Sequence, residues 1–284
     1  MVDLILFPSS YFSAKIIDED LKEEFEAVNS TGLFDTILFS YDKWYNEDRL
    51  ILSETPTVPH TAIMRGWMMK PEKYRLFYKE LLSRNIQLIT TPEEYELMHI
   101  FPNVYNLFEN DTAKMITFPL HEQIDIEAVK ESFNRFMVKD FVKSVKGTAF
   151  PKFFDASVTQ EEFDKYMEMF YKYRGNLLTG GICIKEFLDL RHYNDKVNEY
   201  RVFYANHKII SISRNSGQPG FSAEPPEKLP EKYINIPSSY YTIDYAELAD
   251  GTWKVIEAGD GNVSGLSDNQ NMEQYFKALY FAFN

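Results

Sequence analysis

Over roughly the first 120 residues, hydrophobic and polar positions come in short blocks that switch repeatedly between strand and helix period. Residues 2–7 are an apolar run of strand length. Residues 17–30 carry apolar positions at helical spacing among acids, and Gly32 is placed to stop the helix. Residues 34–40 and 60–65 read as the next two strands. The stretch 71–85 opens on Pro71, a first-turn residue, and puts Tyr74, Phe77, Leu81 and Leu82 on one helical face. A strand over 86–89 precedes Thr91-Pro92-Glu93-Glu94, a helix start that leads to Met98. This β–α–β–α order predicts a parallel sheet covered by helices.

Near residues 119–126 the rhythm breaks, and a domain boundary is placed near residue 120. Residues 125–136 are expected to be helical, and 137–143, with its alternating lysines, a strand. Residues 144–158 contain Gly147 and Pro151 and read as a loop. Thr159 with Glu162 forms a capping-box pattern opening a helix that carries Phe163, Tyr166, Phe170 and Tyr173 and ends at Gly175. Strands follow over 182–190, 199–205 and 208–213, the last two joined by Asn206-His207, a two-residue hairpin loop. Residues 216–239 hold five prolines and form a long loop with one short helix, and a last helix runs from about 269 to 283.

A hairpin between that loop and the last helix carries the first hint of chemistry. Residues 241–248 are aromatic and β-branched, Ala249-Asp250-Gly251 supplies the turn, and 252–258 resumes the strand. A left-handed Gly251 in a bulged loop would set Asp244 across from Glu257 and Glu247 across from Lys254. The two acids would share a face with Ala246, Leu248, Trp253 and Val255, where carboxylates are costly to bury without a cation. Hard oxygen ligands of this kind suit magnesium completed by phosphates. Read alone, most such pairs are two solvated acids at a strand edge.

Composition narrows the class. The 284 residues are 44% hydrophobic and 26% charged, a globular rather than disordered balance. Aromatics reach 16%, which points to well-filled cores. The net charge of −13 lacks the basic footprint of a general nucleic-acid binder. The single cysteine, Cys183, lies in an apolar run and reads as a small buried hydrophobe in a reducing compartment. There is no signal-peptide pattern and no apolar segment near the ~20 residues a membrane span needs, so a cytoplasmic protein is expected. The five histidines show no ligand spacing, the chain has no dinucleotide or P-loop glycine pattern, and the serine in GNVSG is misplaced for a nucleophile elbow.

What remains is a set of cations ahead of the acidic hairpin. Lys139 and Lys143 would share one face of their strand, Arg201 follows Glu199 by two residues, and Arg214 should pair opposite Glu199. Each has a bland reading as a solvated charge or ion pair. Together, cations and acids on successive strands are what a polyphosphate with magnesium requires.

The order Lys139 … Ile184-Lys185-Glu186-Phe187-Leu188 … Glu199-Tyr200-Arg201 … Arg214 … Asp244 … Glu257 resembles the ATP-grasp ligase superfamily, in particular members that join amino acids to carboxylates. Met64-Arg65-Gly66-Trp67-Met68 and Tyr95-Glu96-Leu97-Met98-His99 resemble a bacterial and phage clade of it. The resemblance implies a Rossmann-like α/β domain over 1–120 and an α+β ATP-grasp domain over 121–284, with lobes of about 121–185 and 186–284. It implies ATP and Mg²⁺ as cofactors. Lys139, with Lys143, would reach the phosphates under the 144–158 loop. Glu186, Phe187 and Leu188 would form the hinge beside adenine, and Glu199 would hold the ribose. Arg201 and Arg214 would stabilise the γ-phosphate and the acyl phosphate, and Asp244 and Glu257 would hold magnesium. Where the family's E-x-N motif has Asn, this chain has Gly259, and Asn262 is the substitute chosen before Asp260. Arg65, and less so Arg191, would grip a substrate carboxylate, while His99 reads as a buried, hydrogen-bonded histidine at a helix end. The expected activity is carboxylate–amine ligation through an acyl phosphate, with an amino acid, a peptide or another small carboxylate as substrate. The rival readings are a nucleotide-binding module without chemistry and an enzyme modifying nucleic-acid ends.

Overall fold

The computed structural model describes residues 1–145 and 147–284. In its first sheet, β1 (Leu4–Ser10) lies between parallel β3 (Asp35–Phe39) and β4 (His60–Met64), with β5 (Ile86–Leu88) beyond β4. The short strand β2 (Ser13–Ile17), not expected from the sequence, folds back antiparallel on the end of β1. Strand alternation divides the apolar residues between two faces. Leu4, Leu6, Ile37, Phe39 and Met64 meet Tyr74, Phe77 and Leu81 of α3 (Pro71–Leu82) and Tyr95 of α4 (Pro92–His99). On the other face, Ile5, Phe7 and Ile63 meet Val28 of α1 (Lys22–Thr31) and Phe276 and Leu279 of the final helix. Gly32 ends α1 at φ +64, and Thr91 with Glu94 closes the expected capping box. Leu82 is exposed, because helical rotation carries it past the buried stripe. Two further helices, α2 (Tyr41–Glu47) and α5 (Phe101–Phe108), escaped the sequence reading; both are too short to establish a period.

The second sheet begins before the expected boundary: β6 (Met115–Phe118) pairs with β9 (Ile182–Glu186), in the order β6-β9-β7-β8. Helix α6 (Ile126–Ser132) is shorter than expected, and β7 (Arg135–Asp140) starts and stops earlier. The Asp140 side chain ends β7 by accepting from the amides of Val142 (2.8 Å) and Lys143 (2.6 Å). Lys143 therefore lies past the strand rather than on its face. The strand β8 (Phe154–Asp155) and helix α7 (Gln160–Arg174) complete this layer, with Phe163 and Phe170 buried and Tyr173 exposed. β9 stops at Glu186, four residues short of expectation, and a small hairpin, β10 (His192–Tyr193) with β11 (Lys196–Val197), follows.

The third sheet has the order β13-β12-β14-β15: β12 (Glu199–Ala205), β13 (Lys208–Arg214), β14 (Tyr240–Glu247) and β15 (Trp253–Asp260). Helix α8 (Lys228–Glu231) interrupts the proline-rich loop, and α9 (Met272–Phe283) returns to the first sheet. Asn206 and His207 both have positive φ, as a primed turn requires. An extra residue, Ile210, then shifts the register by one, so Arg214 sits opposite Tyr200 and not Glu199.

In the last hairpin Gly251 is left-handed (φ +86), yet the pairing beside the turn sets Glu247 opposite Trp253 instead of Lys254. The bulge falls further along, at Ile256, and from there Asp244 pairs with Glu257. Before the bulge, Val255 packs with Ile243 and Tyr245 on the core face, so it does not share the acids' face as expected. Lys254 Nζ donates to the Asn110 carbonyl, 2.9 Å away.

Arg65 ties the first sheet to the third. It is 2% exposed, and its guanidinium forks onto Glu24 (2.8 and 3.0 Å) while donating to the carbonyls of Gly261 (2.5 Å) and Ser264 (2.9 Å). Replacing Arg65 with Met would strand the Glu24 carboxylate in the interior. The expected loss is about 3–5 kcal/mol of unfolding free energy in a urea titration; a loss under about 1 kcal/mol would show the clamp is dispensable.

Candidate active site

The bulge gives one face of the third sheet Thr242, Asp244, Glu257 and Gly259 on paired positions of β14 and β15. Arg201, paired with Asp244 across β12, closes a fork on that carboxylate: Nε to Oδ1 at 2.8 Å and Nη2 to Oδ2 at 2.7 Å. From the second sheet Lys139 reaches Glu257, 3.4 Å away. Lys185 comes from the same sheet, 4% exposed, and donates from Nζ to the carbonyl of the bulged Ile256 at 2.9 Å.

These groups stand where two cavities meet. The larger, about 500 Å³, is lined by Lys139, Lys185, Glu186, Phe187, Leu188 and Glu199. The smaller, about 100 Å³, is lined by His99, Arg201, Thr242, Asp244, Gly259 and Ser264. Met68, Lys143 and Glu257 line both. Lys143 thus reaches the groove although it lies off the strand.

Burial sets the electrostatics here. Burial, then Lys139, pushes Lys185 down to about 7. Glu199 is raised by burial and by Asp244, and its carboxylate accepts from Asn215 Nδ2 at 2.9 Å. Asp244 is raised by burial, against the pull of Arg201. His99 falls to about 4 through burial and Lys143, and stacks on Tyr95 at 4.9 Å. Its ring therefore stays neutral at pH 7.

Raised acids beside Arg201 mark a site still short of positive charge. Among the described residues no three acidic, histidine or cysteine groups gather to hold a metal. Two facing carboxylates nevertheless fit magnesium when phosphates complete its shell. Asp244 can serve Arg201 and a cation together, since a carboxylate offers about four lone-pair sites.

Four expected site residues lie elsewhere. Arg65 is consumed by its buried clamp and has no reach to a substrate. Arg191 turns toward Glu247 (3.8 Å), outside both cavities. Arg214, carried to the other face by the Ile210 bulge, lies over the Tyr200 ring (5.7 Å) and donates to the Gly220 carbonyl at 3.0 Å. The Asn262 side chain is held by Met64 N (3.1 Å), Thr90 Oγ1 (2.8 Å) and Asp260 Oδ1 (2.8 Å) and lines neither cavity. Lys146, in the loop expected to cover the phosphates, lies outside the described residues. Cys183 is buried, with its thiol pushed up to about 12 by burial.

Residues 128–279, more than half of the chain, match the model of an ATP-grasp domain family, the third family of its clade. The chain belongs to that family. This ATP-grasp enzyme has the ATP-grasp fold, and its likeness to solved ATP-grasp ligases extends over nearly the whole chain. It is similar to the ATP-grasp ligase PsnB complexed with minimal precursor, Mg and ADP (TM-score 0.60, 10% identity, 99% of each chain covered). It is similar also to D-alanyl-alanine synthetase A from Vibrio cholerae (TM-score 0.61, 10% identity, covering 100% of this chain and 99% of that one). The macrocyclase MdnC bound with precursor peptide MdnA, from Microcystis aeruginosa, gives a TM-score of 0.57 at 12% identity over 98% and 99% of the two chains. No curated protein matches in sequence. No helix among the described residues is long and apolar enough to cross a membrane.

Sequence reasoning overlooked Lys185, Thr242 and Ser264. Lys185 had a readable signal: a lone cation inside the otherwise apolar run Ile182-Cys183-Ile184. Behind the site, Asp260 is fully buried, Oδ2 has no hydrogen-bond partner among the described residues, and burial raises the group to about 7. A carboxyl raised on folding loses stability as pH climbs from its unfolded value near 4 through about 7. Asp260→Asn should therefore raise the melting temperature by several degrees at pH 8 and change it little at pH 4. An equal shift at both pH values would contradict the assignment.

Proposed function

We propose that this enzyme ligates a carboxylate to an amine, with ATP and magnesium, through an acyl phosphate, and that a small molecule, amino acid or peptide supplies the carboxylate. The observation that carries the reading is the convergence of Lys139, Lys185 and Arg201 on the facing pair Asp244–Glu257, at the junction of a nucleotide-sized cavity and a small one. The precursor peptides bound by PsnB and MdnC support a peptide as one candidate.

In this reading the larger cavity takes ATP. Phe187 and Leu188 pack beside adenine, and Glu199 accepts from the ribose hydroxyls. Lys139 and Lys185 neutralise the phosphates from the second sheet, and Lys143 does so from the turn after β7. Asp244 and Glu257 would hold magnesium, which supplies further neutralisation of the transferring group. Arg201 orients the γ-phosphate toward a carboxylate in the smaller cavity. The substrate carboxylate oxygen attacks γ-phosphorus, giving the acyl phosphate and ADP. The amine nitrogen then attacks the acyl carbon; the amide bond forms, phosphate leaves and a proton is released. Neither step calls on a protein nucleophile, and positioned charge does the catalytic work. Arg214, Arg191, Arg65 and Asn262 have no part in it.

Hydroxylamine added to a reaction with ATP, magnesium and a panel of amino acids and peptides should trap the acyl phosphate as a hydroxamate, with stoichiometric ADP. Glu257→Gln should lower turnover about 10³-fold while leaving the melting temperature within a few degrees. Full turnover in a folded Glu257→Gln protein would overturn the site. ATP binding with no substrate-dependent ADP across a broad panel would instead favour a non-catalytic nucleotide module, the reading that Gly259 in place of the family's Asn keeps in play. Arg214→Ala, on the far face, should leave ATP affinity unchanged.

A further inference from the structure

Gly259 stands where the resemblance to ATP-grasp ligases leads one to expect the asparagine of E-x-N, and two hydroxyls crowd the space beside it. A Cβ built there lies 3.2 Å from Ser264 Oγ and 3.3 Å from Thr242 Oγ1. The two hydroxyls are 2.7 Å apart, and Ser264 Oγ lies 2.9 Å from the Asp260 carbonyl. That carbonyl can only accept, and in the arrangement that uses this contact Ser264 spends its one proton there. Thr242 must then donate to Ser264, which consumes the Thr242 proton as well. The alternative acceptor for Thr242, the Gly259 carbonyl, is further off at 3.4 Å.

With both protons spent inward, the pair presents only oxygen lone pairs to the small cavity, beside Asp244 and Glu257. An asparagine side-chain oxygen would offer the same thing to a cation. Thr242 pairs directly with Gly259 across the strands, one alternation along from Asp244. We propose that the Thr242–Ser264 hydroxyl pair replaces the missing asparagine as the third, neutral oxygen donor for the divalent cation held by Asp244 and Glu257. This rests on the magnesium-dependent reading above. A Cβ at position 259 would sit tight against both hydroxyls, which would have to give by a few tenths of an ångström.

The test is the magnesium concentration that half-saturates the stabilisation by a non-hydrolysable ATP analogue, followed by thermal shift. Thr242→Val keeps the shape of the side chain and removes the oxygen. It should raise that concentration about 10-fold or more, the scale on which groups supporting a metal act. Ser264→Ala should do so less, because Thr242 keeps its oxygen. Thr242→Ser, which restores a hydroxyl in the same place, should return the wild-type requirement. An unchanged magnesium requirement in folded Thr242→Val would overturn the proposal while leaving the ligase reading intact. So would a change confined to the KM of the acceptor amine, which would make the pair an ammonium site. If the wild-type protein shows no magnesium-dependent stabilisation at all, the functional reading fails and this inference with it.

Discussion

The candidate site depends on one residue too many in β15. Ile256 has no partner on β14, and inserting it turns Glu257 from the core face, where Val255 lies, to the face of Asp244. Without that half-turn the two acids would face opposite sides of the sheet. Its carbonyl accepts from Lys185 of the second sheet, so the cation that holds the distortion is also one that faces the nucleotide-sized cavity. The residue that builds the acidic pair and the residue that fastens one sheet to the other thus meet at a single hydrogen bond.

Around this point the protein handles buried charge in two ways. Arg65 is paired with Glu24 and with two carbonyls of the turn after β15, and holds the first sheet against the third. Lys185, Asp244 and Glu199 are left short of compensation, with ionisation shifted by burial. Fully paired charges are architectural, whereas shifted ones at a cavity wall are where an added ligand has something to gain. That contrast separates the clamp from the groove without reference to any relative.

Much of the fold was legible from local signals, because caps, primed turns and amphipathic stripes are written in neighbouring residues. Thr91 with Glu94, Thr159 with Glu162, Gly32 and Asn206-His207 all behave as their chemistry dictates. Asp244 opposite Glu257 was also expected, although the bulge sits at Ile256 rather than at the turn. What escaped was decided by tertiary packing. The bulge at Ile210 turned Arg214 to the face away from Arg201, the capture of two amides by Asp140 shortened β7, and the Glu24 partner of Arg65 and the Met64 and Thr90 partners of Asn262 lie 41 or more residues away in the chain. A cation's presence can be read from sequence; whether it is already spoken for cannot. Lys185 was the exception, a charge in an apolar strand that marks its own importance.

The central claim is that the bulge-aligned acids form a magnesium–nucleotide site. Calorimetric titration of a non-hydrolysable ATP analogue, with and without magnesium, into the wild-type protein and Asp244→Asn tests it most directly. Magnesium should strengthen binding about 10-fold or more in the wild type, and that magnesium effect should be lost in the variant. Equal magnesium enhancement in both proteins, or no binding to the wild type at millimolar nucleotide, would contradict it.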